Sequence, residues 1–464
     1  MKEFIWAVLI FLPSVTTNDC SKTKLLSQES VLLKDAYEYF TEGEMKFSVE
    51  MTKQAYTEQP NENLFFSPYS VYNALLLSYF IANGTTLAAV EKLLGLPKDK
   101  GKRDTVQMYE AIREQTNKNS KTTEQTDKDS ETTEQTNKDS KTTKQTNKNP
   151  NTSLTKQTKE SSKTSDVIFE LANRFYVSET ETVTECMRCH FSAELMTIDF
   201  SNSSVETINK FVADVTKNEI KNFLKEGSID SDTKLALVNA AYFKGMWEKQ
   251  FQKNRSTTQS FYLSKTNTVN VTMMRQKSKF KYLELKGVGK TLELPYKDPD
   301  FSMYILLPRR GEYSPSNFIN KLSYETLKNV VENNATQTVA VQIPKFTIEK
   351  QLPLDQVLQN MNVGDLFQTS SDLSILTGKS DIHFTSAIHK SKISVDEEGT
   401  TAAAATAFAS PRSAPLFKRF YCNRPFIYFI YQHSSKSILF LGVFNKPTEQ
   451  EQDSKPLSSE TTNE

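Results

Sequence analysis

With 464 residues the chain could form one large domain or two to three ordinary ones. Its 57 Lys and Arg nearly cancel its 56 Asp and Glu, so a net charge of +1 gives no global attraction to nucleic acid or an anionic membrane. Four cysteines are too few for a disulfide-stapled scaffold, and a chain this long does not need one.

The chain starts MKEFIWAVLIFLPSVTT, with one Lys, an apolar run from Phe4 to Pro13 and small or polar residues after it. That run is too short to span a bilayer and has the form of a signal peptide, expected over residues 1–17. No later stretch has the length of a membrane helix, so the expectation is a soluble, secreted, extracellular protein. Six Asn-x-Ser/Thr triplets, at Asn83, Asn151, Asn202, Asn254, Asn270 and Asn334, are candidate N-glycosylation sites that fit this compartment.

Apolar residues at helical spacing predict a helix over Val31 to Tyr56. Phe65-Phe66-Ser67-Pro68 breaks the pattern. Ser70 to Ala82 then reads as a buried helix, with a turn at Asn83-Gly84-Thr85. From 114 to 165 the composition changes to a ten-residue near-repeat of Thr, Lys, Gln, Asn, Ser and acids, as in EQTNKNSKTT and EQTDKDSETT. With no aromatic residue and Leu154 as its one large aliphatic, this insertion cannot offset its own ordering entropy and is expected to be disordered. After it the spacing predicts a strand over Val167 to Val177 and an amphipathic helix over Val205 to Phe223. Leu235 to Phe243 is apolar enough for a central strand. Further strands are predicted at Val269 to Met274, Phe280 to Leu285, Leu292 to Pro295, Met303 to Leu307, Val339 to Ile348, Phe426 to Tyr431 and Ile438 to Val443. Residues 448–464 form a polar tail. With no convincing linker, 18–447 reads as one large α+β domain interrupted by the insertion.

Few motifs carry chemistry. Cys186-Met187-Arg188-Cys189-His190 matches the haem-attachment pattern C-x-x-C-H, but it is short and occurs once in a chain with four His. A disulfide among the cysteines, Cys20 included, or plain thiols are the readings left open. Gly289-Lys290-Thr291 ends like a phosphate loop, yet Glu284 stands where the first glycine is required. There is no G-x-S-x-G elbow and no zinc helix. No enzyme, metal or cofactor is therefore expected. His389, in the alternating run Phe384 to Val395, reads by spacing as a core histidine.

The stretch from Glu397 to Ser413, EEGTTAAAATAFASPRS, joins two kinds of information. By propensity the alanine run would be a helix. Pro411 and Pro415 bracket an Arg412-Ser413 bond and favour an extended, exposed loop. An extended Arg followed by a small residue suits the acidic pocket of a trypsin-like protease.

Ordered blocks along the chain resemble the serpin family. Asn63-Leu64-Phe65-Phe66-Ser67-Pro68-Tyr69-Ser70 is similar to its early block, and Leu237-Val238-Asn239-Ala240-Ala241-Tyr242-Phe243-Lys244-Gly245-Met246-Trp247 to its most specific signature. Leu294-Pro295-Tyr296, Ile343-Pro344-Lys345-Phe346, Ile388-His389-Lys390, Val395-Asp396-Glu397-Glu398-Gly399-Thr400 and Asn423-Arg424-Pro425-Phe426 follow in the family's order.

The resemblance implies a three-sheet α+β fold of about nine helices with an exposed reactive-centre loop, trapped below its full stability. It implies a suicide substrate that becomes covalently joined to a serine protease, its cut loop entering the large sheet as a new strand. The loop hinge would be Glu397, Glu398, Gly399, Thr400, Ala402, Ala403, Ala404 and Ala405. On a strand Thr400, Ala402, Ala404 and Thr406 share one face, and small side chains there enter a packed sheet without clash. Ser67, Ser70, Asn239 and His389 would form a polar gate under the opening sheet, with Trp247 where the loop first enters. The family's commonest spacing puts Ser413 in the specificity position, suited to an elastase-like target. A loop one residue shorter puts Arg412 there, and the guanidinium favours it. The leading expectation is a monomeric inhibitor of a trypsin-like serine protease, without nucleic-acid or membrane partners. A non-inhibitory carrier and a structural or adhesive secreted protein are the competing classes. Glycosaminoglycan binding has only the small cluster Lys98, Lys100, Lys102 and Arg103 behind it, expected as a solvated face.

Overall fold

The computed structural model describes residues 29–96, 98, 101–110, 112, 167–332, 335–398, 417–448 and 451, with side chains from Glu38 onward. The expected leader, the repeat insertion, the loop from Gly399 through Pro415, most of the tail, Cys20, Asn151 and Asn334 lie outside the described residues.

The chain opens with α1 (Glu29–Glu58), β1 (Leu64–Phe66), α2 (Pro68–Ile81), α3 (Gly84–Leu94) and α4 (residues 102–110). Ser67 caps α2, its side chain accepting from the Ser70 N–H, and Pro68 supplies a preset φ in the first turn. The apolar residues of α2 go all the way round, Leu75-Leu76-Leu77 included, so the helix is buried on every side. Gly95, at φ 63°, closes α3 in the left-handed conformation.

Next come β2 (Val167–Ser178), α5 (Glu185–His190), β3 (Leu195–Ile198), α6 (Ser204–Val215) and β4 (Leu235–Gly245). They are followed by β5 (Thr257–Tyr262), β6 (Thr268–Leu285), β7 (Gly289–Pro295), β8 (Phe301–Pro308), α7 (Ser316–Asn320), α8 (Tyr324–Glu332) and β9 (Ala335–Pro344). The last elements are β10 (Phe346–Leu352), α9 (Leu354–Leu358), α10 (Ser374–Thr377), β11 (Ser386–Val395), β12 (Lys418–Tyr421), β13 (Phe426–Gln432) and β14 (Ser437–Phe444).

These strands make three sheets. One has five strands in the order β10-β11-β4-β2-β3. The other two share β6, whose 18 residues pair β5 and β9 along the early part and β7 at the end. The first of these two runs β5-β6-β9-β12, and the second β6-β7-β8-β13-β14-β1. β4 is covered on both faces. Leu235, Leu237, Ala241 and Phe243 join the interior clusters, whereas Ala236, Val238, Ala240 and Tyr242 pack with Ile208 and Val212 of α6. That is why its sequence is apolar without alternation.

Four expectations need correction. The two strands expected at Val269 to Met274 and Phe280 to Leu285 are one continuous strand, β6. The helix expected to reach Phe223 stops at Val215, because Lys217 and Asn218 turn into positive φ and Thr216 Oγ1 caps the Ile220 N–H. Ile220 and Phe223 still reach the core from the turn that follows. The strand expected over Val339 to Ile348 is two strands in different sheets, divided at Lys345, whose N–H donates to Thr272 O. Lys102 is not on a solvated face. Its ammonium donates to Ala82 O at 2.7 Å and lies over the Tyr79 ring, and burial lowers its pKa to about 8. Among the described residues no helix is long and apolar enough to cross a membrane.

Candidate functional site

The five-stranded sheet has an unusual seam at its centre. β11 runs antiparallel to β10 and β4 antiparallel to β2, but β11 and β4 are parallel, paired from Ser386↔Ala236 to Ile393↔Phe243. A strand leaving the end of β11 and folding back along it would be antiparallel to β11. Because β4 points the same way as β11, that strand would be antiparallel to β4 as well. One slanted parallel ladder could thus be exchanged for two antiparallel ones, which are slightly more stable per residue.

A row of polar side chains crosses the seam at one level. Asn173 of β2 faces Asn239 of β4, which faces His389 of β11. Asn239 and His389 are fully buried. His389 Nε2 accepts from the Ser67 N–H at 2.9 Å, so the proton sits on Nδ1 and is donated to Asn239 Oδ1 at 2.5 Å. Ser67 Oγ donates to Leu439 O at 2.6 Å, and Ser70 Oγ to Asn173 Oδ1 at 2.7 Å. Two residues beyond His389, Ser391 Oγ donates to Phe65 O at 2.6 Å. Burial pushes the His389 pKa down to about 3, so the ring is neutral at physiological pH. The Asn239 Nδ2 group is buried and finds no acceptor among the described residues.

A second constellation holds the root of the loop just past β11. Trp247 Nε1 donates to Asp396 O at 3.0 Å, while its ring stacks on Tyr296 at 4.6 Å. Gly245 makes room for this, since a Cβ there would lie 2.7 Å from the Tyr296 ring. The Phe251 N–H donates to Glu397 O at 3.0 Å, and Gln250 Nε2 to Glu398 O at 2.8 Å. The Glu397 carboxylate is gripped by Ser256 Oγ at 2.7 Å and Lys345 Nζ at 2.9 Å. Burial alone would raise the pKa of Glu397, but these two partners outweigh it and hold it below the usual value. Glu398 pairs with Lys253.

The family profile described as Serpin (serine protease inhibitor) matches residues 42–447. The chain belongs to the serpin family. It is 31% identical over 427 residues to Serine protease inhibitor 88Ea of Drosophila melanogaster, covering 87% of this chain and 90% of the relative. Human Serpin B3 is 30% identical over 420 residues, covering 88% of this chain and 99% of its own length. Leukocyte elastase inhibitor A of Rattus norvegicus is 31% identical over 418 residues, covering 86% and 97% respectively. The structure of uncleaved ovalbumin superposes with a TM-score of 0.70 at 23% identity over 88% of this chain and all of that one. Maspin gives 0.71 at 24% identity over 89% and 100%. These structures share the three-sheet fold. Serpins are protease inhibitors rather than enzymes.

In this serpin the residues singled out in the sequence fall into the two constellations. Ser67, Ser70, Asn239 and His389 meet under the seam. Trp247, Glu397 and Glu398 meet at the loop root, while Gly399, Thr400, Ala402, Ala403, Ala404, Ala405, Arg412 and Ser413 lie outside the described residues. Sequence reasoning missed Asn173 and Ser391. Asn173 interrupts an apolar strand face, and Ser391 stands two residues after His389 on the same face, so both left a signal. Gln250, Ser256 and Lys345 left none, because their role depends on where two distant segments cross. Asn83, Asn202, Asn254 and Asn270 are exposed. Among the described residues no disulfide joins Cys186, Cys189 and Cys422, and no metal cluster forms.

Proposed function

We propose that this serpin is a secreted, monomeric inhibitor of a trypsin-like serine protease, with Arg412-Ser413 as the bait bond. The observation that carries the reading is the parallel seam between β4 and β11, with the root of the loop fastened at its end. The protease serine would attack the Arg412 carbonyl carbon, breaking the amide to Ser413. The new amine on Ser413 takes its proton from the protease's histidine, and the Arg412 acyl group stays on the serine as an ester. The freed segment from Gly399 to Arg412 then enters the seam before water hydrolyses that ester. Its small residues support this step. A charged or bulky side chain on the entering face would be buried unpaired or overpacked.

Arg412 is preferred to Ser413 because a guanidinium makes bidentate, charge-assisted bonds to a carboxylate, while a serine side chain fills little of any pocket. Relatives named leukocyte elastase inhibitor support the alternative, an elastase-like target reading Ser413. The small-residue loop sequence argues against a carrier. Neither reading draws on glycosaminoglycan, since the inward turn of Lys102 shrinks the basic cluster.

Mixing the protein with trypsin, thrombin and elastase separates these readings. The expected result is an SDS-stable complex with a trypsin-like enzyme and a released C-terminal peptide starting at Ser413. A start at Ala414 would favour the elastase-like reading. Cleavage with no complex would refute inhibition by this route.

A further inference from the structure

The C-x-x-C segment has no part in the seam or the loop root, yet its placement is specific. Cys186 and Cys189 lie one turn apart on α5, and both are exposed. The turn beneath them is held at each end. Ahead of the helix, Thr184 donates its N–H to Leu376 O at 2.9 Å and its Oγ1 to Ile375 O at 3.0 Å. At the far end, His190 Nδ1 bonds Glu110 of α4 at 2.6 Å, and Phe191 stacks on Phe80 of α2 at 5.4 Å. Met187, between the cysteines, is buried on the inner face. The anchored ends and the buried Met187 therefore fix which side of α5 meets solvent, and both thiols are on it.

We propose that Cys186 and Cys189 are a redox-active dithiol that closes to a disulfide within α5. Residues three apart on an α-helix have Cβ atoms about 5–6 Å apart, against roughly 3.5–4.5 Å in a disulfide. A 3₁₀ turn brings positions i and i+3 into eclipse, and α5 has only six residues, so one turn has to tighten. The Cys189 thiol now donates to Glu185 Oε1 at 3.6 Å, a weak contact that closure would exchange for a covalent bond. Cys422 does not compete, because it is fully buried and burial pushes its thiol pKa well up. In the reaction two thiols lose two protons and two electrons. A small disulfide of the oxidised-glutathione class accepts them and leaves as two thiols.

The sequence supplies its own reporter, since trypsin cuts after Arg188, between the two cysteines. The full-length protein is equilibrated with oxidised glutathione, alkylated, denatured, stripped of N-glycans and digested. The expected product is peptide 175–188 still joined to peptide 189–210, at the summed mass less two hydrogens, and dithiothreitol should separate the two. The Cys186→Ser variant should lose that product and show Cys189 alkylated or glutathionylated. Both cysteines alkylated or singly glutathionylated in the unmutated protein would overturn the proposal. So would a link from either cysteine to the peptide carrying Cys20.

Discussion

The middle of the seam and its end are fastened by different chemistry. At His389 the fastening is a neutral network of short hydrogen bonds from which water is excluded. At Glu397, further along the same chain, it is a carboxylate held by a hydroxyl and by Lys345, whose own side chain is half exposed. A buried neutral network resists salt and mild pH change, but losing one member leaves another unpaired. An ion pair whose cation is half exposed is screened by salt, so its hold weakens as ionic strength rises. The seam is therefore locked firmly in its middle and lightly where the loop begins.

The largest effect separating the two regions should come from pH. His389 titrates near 3 in the fold against an ordinary 6.5, so the unfolded chain binds the extra proton between those values. Its contribution to stability is complete above pH 6.5 and lost as pH falls toward 3, on the order of 5 kcal/mol in full. Glu44, buried on α1 where Ser48 Oγ and the Ile438 N–H donate to its carboxylate, acts in the opposite sense. Burial raises its pKa to about 8, so its contribution is present below its ordinary value of 4.5 and lost as pH rises through 8. From pH 6.5 to 4.5 the two slopes oppose each other. In Glu44→Gln the melting temperature should fall through that window, while the parent stays flatter. Equal profiles for the two proteins would refute this assignment. The Glu397 carboxylate, depressed by its partners, should add a loss only below about pH 4.5.

Next in size is Asn239→Ala, which strands the His389 Nδ1–H in a dry site at a cost of about 1–3 kcal/mol. The variant should melt earlier and insert its loop or polymerise on mild warming. Unchanged melting and inhibition would refute the role given to this row. Trp247→Phe keeps the stack on Tyr296 but loses the bond to Asp396 O, costing about 0.5–1.5 kcal/mol. Its expected signature is faster cleavage of the loop root by a non-target protease.

Smallest is Glu397→Gln, which keeps an acceptor for Ser256 and gives up the charge opposite Lys345, worth about 1 kcal/mol or less. The difference from the parent should shrink as salt is raised. A salt-independent effect would mean that packing, not charge, sets the loop root.

Much of this was legible from residue patterns, for identifiable reasons. β4 was readable because a strand covered on both faces needs an unbroken apolar run. α2 was readable because Ser70 to Ala82 is an apolar run that starts after the break at Phe65-Phe66-Ser67-Pro68. The division at Lys345 was not, since Val339 to Ile348 keeps strand-like character while the chain passes from one sheet to another. The end of α6 was hidden because Ile220 and Phe223 continue a helical spacing that the backbone abandons at Lys217 and Asn218. His389 shows the limit most clearly. Alternation placed it inside but could not reveal that its two ring nitrogens join a helix start to the neighbouring strand.

The all-round apolar surface of α2 has a mechanical consequence. Contacts between hydrocarbon surfaces have no preferred direction, so layers can slide across such a helix with little penalty until polar groups come into register. At the start of α2, Ser67 and Ser70 engage β11, β14 and β2, while the polar groups further along it, Tyr72 and Ser78, bond to α3 or within the helix. The helix thus behaves as a greased bearing whose detent against the sheets is its Ser67–Ser70 end.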